Sequence, residues 1–321
     1  MSIPISKHME HMNPSLIREI FKAAQKEGMI SFTAGSPSAE EFPAQELAAL
    51  AKDVFATQAV TVLSYGVTEG YQPLRQWIAD DLQRSGIQRE GDDTIVISGG
   101  QQALDFTAKC LLNDGDTVLT EAPTFLNALN TFRTYGARIV GVPMDGEGMD
   151  MDALEQALRL EKSVKFIYTI PNFQNPMGVT LSAARRRRMY DLAEQYDVMI
   201  LEDDPYGRLR YSGTPVDAIK TLDRSERVIY TGSFSKIIAP GIRVAYLCAP
   251  KELMAKMVVA KQCVDVHTNM LSQVLVYEYL TRYDLDAHIR QCCDHYRVKR
   301  DAMLMAIERY FPAEVAVTRP E

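Results

Sequence analysis

Two hydroxyls, an amine and a guanidinium crowd one short stretch: Ser233-Phe234-Ser235-Lys236, then Pro240-Gly241 and Arg243. That combination makes an anion site with a nucleophilic amine inside it. The stretch follows an apolar run, Val228–Ser233, which reads as a strand buried on both faces. An amine held between buried strands is desolvated, which lowers its pKa from about 10.4 and favours chemistry over solvation. Ser98-Gly99-Gly100-Gln101-Gln102-Ala103 runs straight into a helical pattern. Glycines there let backbone N–H groups approach an anion, and the helix dipole favours holding it. Taken alone, this motif reads equally as a tight strand–helix turn, and it matches neither the dinucleotide fingerprint nor the nucleotide P-loop. Pro171-Asn172-Phe173-Gln174-Asn175-Pro176-Met177-Gly178 closes a loop and offers asparagine donors. Leu201-Glu202-Asp203-Asp204-Pro205-Tyr206-Gly207 sets three acids in a row. Successive strand residues face opposite ways, so the three cannot all converge on one cation. One carboxylate suffices to keep a heteroaromatic nitrogen protonated.

The elements that must position these groups follow from the apolar pattern. Strands are expected at Thr94–Ser98, Thr117–Glu121, Arg138–Val142, Val164–Ile170, Val198–Asp203, Val228–Ser233 and Arg243–Ala249, the last opened by Arg243. Helix-length segments such as Gln101–Leu112, Met151–Leu160 and Ala183–Tyr196 lie between them, which predicts crossovers and a mainly parallel sheet. From Lys251 to about Tyr310 the pattern is helical. In open α/β sheets functional groups gather at the carboxyl ends of strands, where every motif above falls.

Composition sets the outer limits. The chain has 321 residues, 35 basic against 42 acidic, for a net charge of −7. A net acidic chain argues against nucleic acid, because neutralising phosphates needs a basic face. The one basic run, Arg185 to Arg188, reads as a solvated helix face. No stretch reaches the roughly 18 apolar residues of a membrane span, and MSIPISKHMEHMNPS has no apolar core of a secretory signal. Five cysteines without CxxC spacing, including the adjacent Cys292-Cys293, point to reduced thiols in a cytoplasmic protein. No metal is expected, since His8 and His11 have no third ligand nearby. His267 falls in a loop that reads as a candidate lining of a substrate entrance.

A phosphate cradle, an acid, Asn and Tyr donors and a buried lysine are together the set that pyridoxal phosphate needs. The sequence resembles the class I/II aminotransferases, pyridoxal-phosphate enzymes of fold type I, and within them the 2-aminoadipate and kynurenine aminotransferase branch. The likeness rests on Ser-Phe-Ser-Lys…Pro-Gly-Ile-Arg, Asn-Pro-Met-Gly and Asp-Asp-Pro-Tyr in that order and spacing, and runs from about Asn13 to Glu321. It implies an α/β fold: a mainly parallel sheet of about seven strands flanked by helices, plus a small domain drawn from both termini. Residues 1–45 would join the small domain, 46–284 would form the large cofactor-binding domain, and 285–321 would begin the C-terminal part.

By resemblance, Lys236 carries the cofactor as a Schiff base and shuttles the proton, while Asp203 pairs with the pyridinium nitrogen. Tyr206 and Asn175 would bond the ring's phenolic oxygen. Gly100 and Gln101 N–H groups, with Ser233, Ser235 and Arg243, would hold the phosphate, and Phe125 would stack on the ring. Tyr65 would reach a neighbouring subunit's phosphate, implying a homodimer, while Gly35 and Arg18 would lie near the substrate. The family's carboxylate-binding arginine lies beyond a glycine-rich small-domain strand. Arg319 falls too early to match it, so the C-terminal small domain is expected to be incomplete. The implied reaction moves an amino group from an L-amino acid to a 2-oxo acid, 2-oxoglutarate being the expected acceptor, in ping-pong fashion. Two other readings stand beside it: a β-lyase, which uses the same residues, and the non-catalytic effector module of a transcription regulator.

Overall fold

Runs of branched and aromatic residues become strands here because helices cover both of their faces. The computed structural model describes residues 3–10 and 35–321. One sheet contains β1 (Asp92–Ile97), β2 (Thr117–Ala122), β3 (Arg138–Asp145), β4 (Gly148–Met149), β5 (Val164–Thr169), β6 (Met199–Asp204), β7 (Val228–Ser233) and β8 (Ala245–Pro250). Their order is β1-β8-β7-β6-β5-β2-β3-β4. The pairs β3–β2, β2–β5, β5–β6 and β6–β7 are parallel, and β8 is antiparallel to both β7 and β1. The expected mainly parallel α/β sheet is therefore present. Its additional strand, β4, is a two-residue antiparallel pairing with the end of β3, too short to leave a periodic signal.

One boundary differs from expectation. Arg243 does not open β8. It follows the 3-10 turn Pro240–Ile242 with φ 58°, in the left-handed region, and β8 begins at Ala245. That turn carries the guanidinium to the sheet edge instead of committing it to a strand face.

Besides a four-residue helical turn at Lys7–Glu10, the α-helices of the described residues are α1 (Ala44–Thr57), α2 (Ala59–Leu63), α3 (Gln72–Arg84), α4 (Gly100–Leu111), α5 (Leu126–Arg133), α6 (Met151–Leu160), α7 (Ala183–Tyr196), α8 (Lys251–Gln262), α9 (Met270–Arg282) and α10 (Leu285–Tyr310). Strand alternation sorts the core into two layers. Phe166, Tyr168 and Leu201 pack with Phe106 of α4, Phe132 of α5 and Met257 of α8. Their neighbours Ile167 and Ile200 face the other way, onto Leu154 of α6 and Leu192 of α7. A third cluster joins Val96 and Cys248 to Ile78 of α3, Val276 of α9 and Ile289 of α10. Because β1 is antiparallel to β8 and β8 to β7, β1 runs with the parallel strands. The carboxyl ends of β1, β2, β5, β6 and β7 thus share one edge. Among the described residues no helix is long and apolar enough to cross a membrane.

The basic run corrects a second expectation. Arg185 pairs with Asp145 and Arg188 with Glu155, but Arg186 is only 1% exposed. It shares an inward face with Met189, Tyr190 and Ala193, the i, i+3, i+4, i+7 positions of α7. Helical period, not charge, decided its side. Burial lowers the Arg186 pKa, and five acceptors surround it: Leu181 O at 2.9 Å, Pro171 O at 3.0 Å, Asn172 Oδ1 at 2.7 Å, Val216 O at 3.3 Å and Asp217 O at 3.1 Å. The guanidinium thereby anchors the loop that carries Asn175. Arg186→Met leaves these acceptors unpaired and should cost at least about 3 kcal/mol. Urea unfolding measures it, and a loss below 1 kcal/mol would contradict the anchoring role.

Candidate active site

Loops leaving the shared carboxyl edge wall a cleft of about 310 Å3. From the β1 end come Gly100 and Gln101, from β2 Phe125, and from β5 Asn175. β6 contributes Asp203 and Tyr206, and the segment after β7 contributes Ser233, Ser235, Lys236 and Arg243. Residues spread over the sequence from Gly100 to Arg243 meet in this one space. Gly35 joins them from outside the sheet, its carbonyl accepting Lys236 Nζ at 3.2 Å. Tyr65 does not enter the cleft: it is 90% exposed and packs edge-on against His267 at 5.8 Å. His267 is not among the residues that line the cleft, and its Nδ1 lies 2.8 Å from Thr268 O. Arg18 lies outside the described residues.

One end of the cleft is built for an anion. Gly99 caps α4 with φ 93°, a conformation glycine adopts without strain. A Cβ at Gly99 would be strained at this φ and would displace the Arg243 guanidinium from its place. Arg243 Nη2 donates to Ser98 O at 3.0 Å and Nη1 to Pro240 O at 3.3 Å, contacts that aim the remaining donors. The Gly100 and Gln101 N–H groups begin α4, where a helix has no internal partners for them. Ser233 Oγ accepts the Ser235 N–H at 3.1 Å, keeping both hydroxyls at this end.

The cleft also holds a buried carboxylate suited to a cationic partner. Of the three consecutive acids, only Asp203 lines the cleft. Glu202 faces the opposite layer and accepts the Ile219 and Lys220 N–H groups, both at 2.8 Å. Asp204 accepts from Asn172 Nδ2 at 3.0 Å, the Gly207 N–H at 2.9 Å and Tyr230 Oη at 3.2 Å. Asp203 receives Tyr168 Oη at 2.9 Å and, among the described residues, pairs with no cation. Burial, opposed by the Tyr168 hydroxyl and aided by Asp204, pushes its carboxyl up to about 7. A cationic N–H donor is the partner such a carboxylate lacks.

The amine of Lys236 lines the same cleft. Lys236 Nζ lies 5.9 Å from the Tyr206 ring centre, and burial lowers its pKa. Asn175 Nδ2 donates to Tyr206 Oη at 3.4 Å. Donors suited to a phosphate, an amine and a carboxylate in one cleft fit pyridoxal phosphate, group for group. Two contributors escaped the sequence reading. Gly99 was read as part of the turn without its close approach to Arg243. Tyr168 was read only as strand, although a buried tyrosine hydroxyl must find a partner, and β5 lies beside β6. Cys292 is buried in α10 with its thiol pushed up to about 12, chiefly by burial, and burial also raises Cys293, which disfavours a thiolate at both.

Asp203 has a consequence for stability. Its folded pKa lies above its unfolded value, so the folded state binds the extra proton, and this stabilisation is lost as pH rises through about 7. In the cofactor-free protein, Asp203→Asn removes that loss. Its melting temperature should exceed that of the native chain at pH 8 and match it at pH 4. A variant less stable at pH 8 than the native chain would contradict the desolvation argument.

Comparison with known proteins agrees with this geometry. The family model described as aminotransferase class I and II matches residues 27–297. The aromatic-amino-acid aminotransferase 1 of Thermococcus litoralis is 44% identical over 315 residues, covering 97% of this chain and 76% of that protein. The 2-aminoadipate transaminase of Thermus thermophilus is 39% identical over 310 residues, covering 96% of this chain and 76% of that protein. The crystal structure of Pyrococcus horikoshii kynurenine aminotransferase in complex with PMP superposes with a TM-score of 0.94 at 40% identity, over 99% of this chain and 80% of that one. The cleft, its phosphate-ready and carboxylate-bearing ends and these likenesses agree: the chain belongs to the class I and II aminotransferases, pyridoxal-phosphate enzymes that transfer an amino group between an amino acid and a 2-oxo acid.

Proposed function

We propose that Lys236 is the residue that bonds the cofactor and moves the substrate proton, with Asp203, Tyr206 and Asn175 orienting the ring. The observation that carries this reading is that Lys236 lines one cleft together with Arg243 and Asp203. Bound pyridoxal phosphate supplies a reactive carbaldehyde and an electron sink. Arg243, Ser233, Ser235 and the Gly100 and Gln101 N–H groups hold its phosphate. Asp203 accepts the ring N–H and keeps that proton in place, which sustains the sink. Phe125 covers the ring and excludes water. Desolvation leaves more of Lys236 Nζ unprotonated, so the amine can take a proton from the substrate carbon and return it one position away. Gly35, whose carbonyl already meets Lys236 Nζ, borders the place of the substrate carboxylate, and Arg18 assists in recognition.

The donors are L-amino acids of the aromatic and 2-aminoadipate classes, for which the relatives above are named, and the acceptor is 2-oxoglutarate. Two half-reactions share the cleft, giving ping-pong kinetics. The experiment is Lys236→Ala, supplied with cofactor, an aromatic L-amino acid and 2-oxoglutarate. We expect no L-glutamate and no visible absorbance of lysine-bound cofactor. Retention of either would overturn the assignment.

The working unit is a homodimer in which Tyr65 reaches the phosphate of the neighbouring site. Val60, Leu63 and Tyr65 are 82%, 74% and 90% exposed, on α2 and the residues just after it, which supports burial against a second copy. Tyr65→Ala is expected to weaken cofactor retention about tenfold although Tyr65 lies outside its own cleft. Equilibrium dialysis measures this; unchanged retention would refute the shared site. Residues 46–284 form the cofactor domain, and 1–45 with 285–321 belong to a second domain. The Ser38 N–H donates to Tyr296 Oη at 3.1 Å and Lys299 Nζ to Ser38 Oγ at 3.0 Å, contacts that support grouping the two segments. Free cysteines favour a cytoplasmic setting.

A further inference from the structure

One fully buried carboxylate beside the cleft has no part in the chemistry above. Glu121, at the end of β2, is 2% exposed. It accepts Thr169 Oγ1 at 2.6 Å, the Ile170 N–H at 3.1 Å, Gln174 Nε2 at 2.9 Å and Thr124 Oγ1 at 3.5 Å. Every partner is a donor, and among the described residues no cation pairs with it. A group that must accept from all sides suits a carboxylate; an amide would turn N–H groups toward donors. Burial pushes Glu121 up to about 7 despite these bonds, so its retention is costly and packing alone does not account for it.

Its partners span two loops. Thr124 precedes Phe125, and Gln174 precedes Asn175. Gln174 is equally buried and completes the tie. Its Nε2 also donates to Pro123 O at 3.0 Å, and its Oε1 accepts the Met177 N–H at 2.9 Å. Asn175 reaches Tyr206 at 3.4 Å, a contact too long to hold the loop by itself.

We propose that Glu121, acting with Gln174, is a positioning residue for the cofactor ring: it fixes the separation of the Phe125 and Asn175 loops and so holds the Asn175 amide at the ring oxygen. The inference rests on the reading of Asn175 given above. The test uses holoenzymes carrying Glu121→Gln, Gln174→Met and Asn175→Ala, singly and in pairs with Asn175→Ala. Two quantities are read: the cofactor dissociation constant, and the midpoint of the pH titration of the bound cofactor's visible band. Glu121→Gln and Gln174→Met should each raise the dissociation constant about tenfold. Each should move the midpoint in the direction that Asn175→Ala moves it, and neither should move it further once Asn175 is alanine. A midpoint unchanged in both, while Asn175→Ala shifts it, overturns the proposal and leaves the functional reading standing. Shifts that add to that of Asn175→Ala do the same. An unchanged midpoint in Asn175→Ala overturns the reading of Asn175 and the proposal with it. Gln174→Met keeps the carboxylate, and it decides alone if Glu121→Gln does not fold.

Discussion

Period-two alternation at the end of β6 is the constraint on which the rest of the site depends. Three carboxylates in sequence would repel one another if they shared a face, and a parallel strand buried on both sides gives them little water. Alternation sends Glu202 to the layer of α6 and α7, where two backbone N–H groups meet it, and leaves Asp203 facing the cleft. Asp204 returns to the far side and holds the turn through Gly207. One strand end thus supplies a structural acceptor, a cleft-facing carboxylate and a turn anchor, each determined by which way it points.

The positive groups answer the same geometry. Arg243 and Asp203 stand in one cleft with Lys236, and the desolvation that raises the acid also lowers the amine. Both shifts favour neutral groups until a charged ligand arrives, so binding a dianionic phosphate with a cationic ring fits the cleft electrostatically at both ends. Arg186 supports the cleft from beneath by binding carbonyls of the Pro171 loop, and Glu121 meets the next turn of that loop from the other side. Loops without regular hydrogen bonding are held here by one buried donor group and one buried acceptor group. That division explains why buried charge sits so close to the site without taking part in its chemistry.

Much of this was legible beforehand because chemistry imposes residue types. Lys236, Asp203, Tyr206, Asn175 and Arg243 stand at strand ends, and apolar runs locate strand ends well. The helices Met151–Leu160 and Ala183–Tyr196 fall where expected, the first capped by Asp150, which accepts the Asp152 and Ala153 N–H groups at 2.9 Å. What escaped notice follows a pattern. Arg186 was assigned to solvent by its charge when the helical period placed it inside. Tyr168, Gln174 and Glu121 have ordinary types for a strand or a loop, and their importance arises from partners far away in sequence.

The order and spacing of the motifs, with the strand and helix periods around them, determined on their own the fold class, the cofactor and the strand ends at which the candidate site residues stand. Those features are local: a strand end, a helix start, a glycine turn. Tertiary structure alone decided which face of the β6 end borders the cleft, that Gly99 lies against the Arg243 guanidinium, which carbonyls Arg186 binds, and that Glu121 joins two loops. Each of these depends on hydrogen bonds or contacts between segments tens of residues apart, set by the sheet order, and sequence periodicity carries no information about that order.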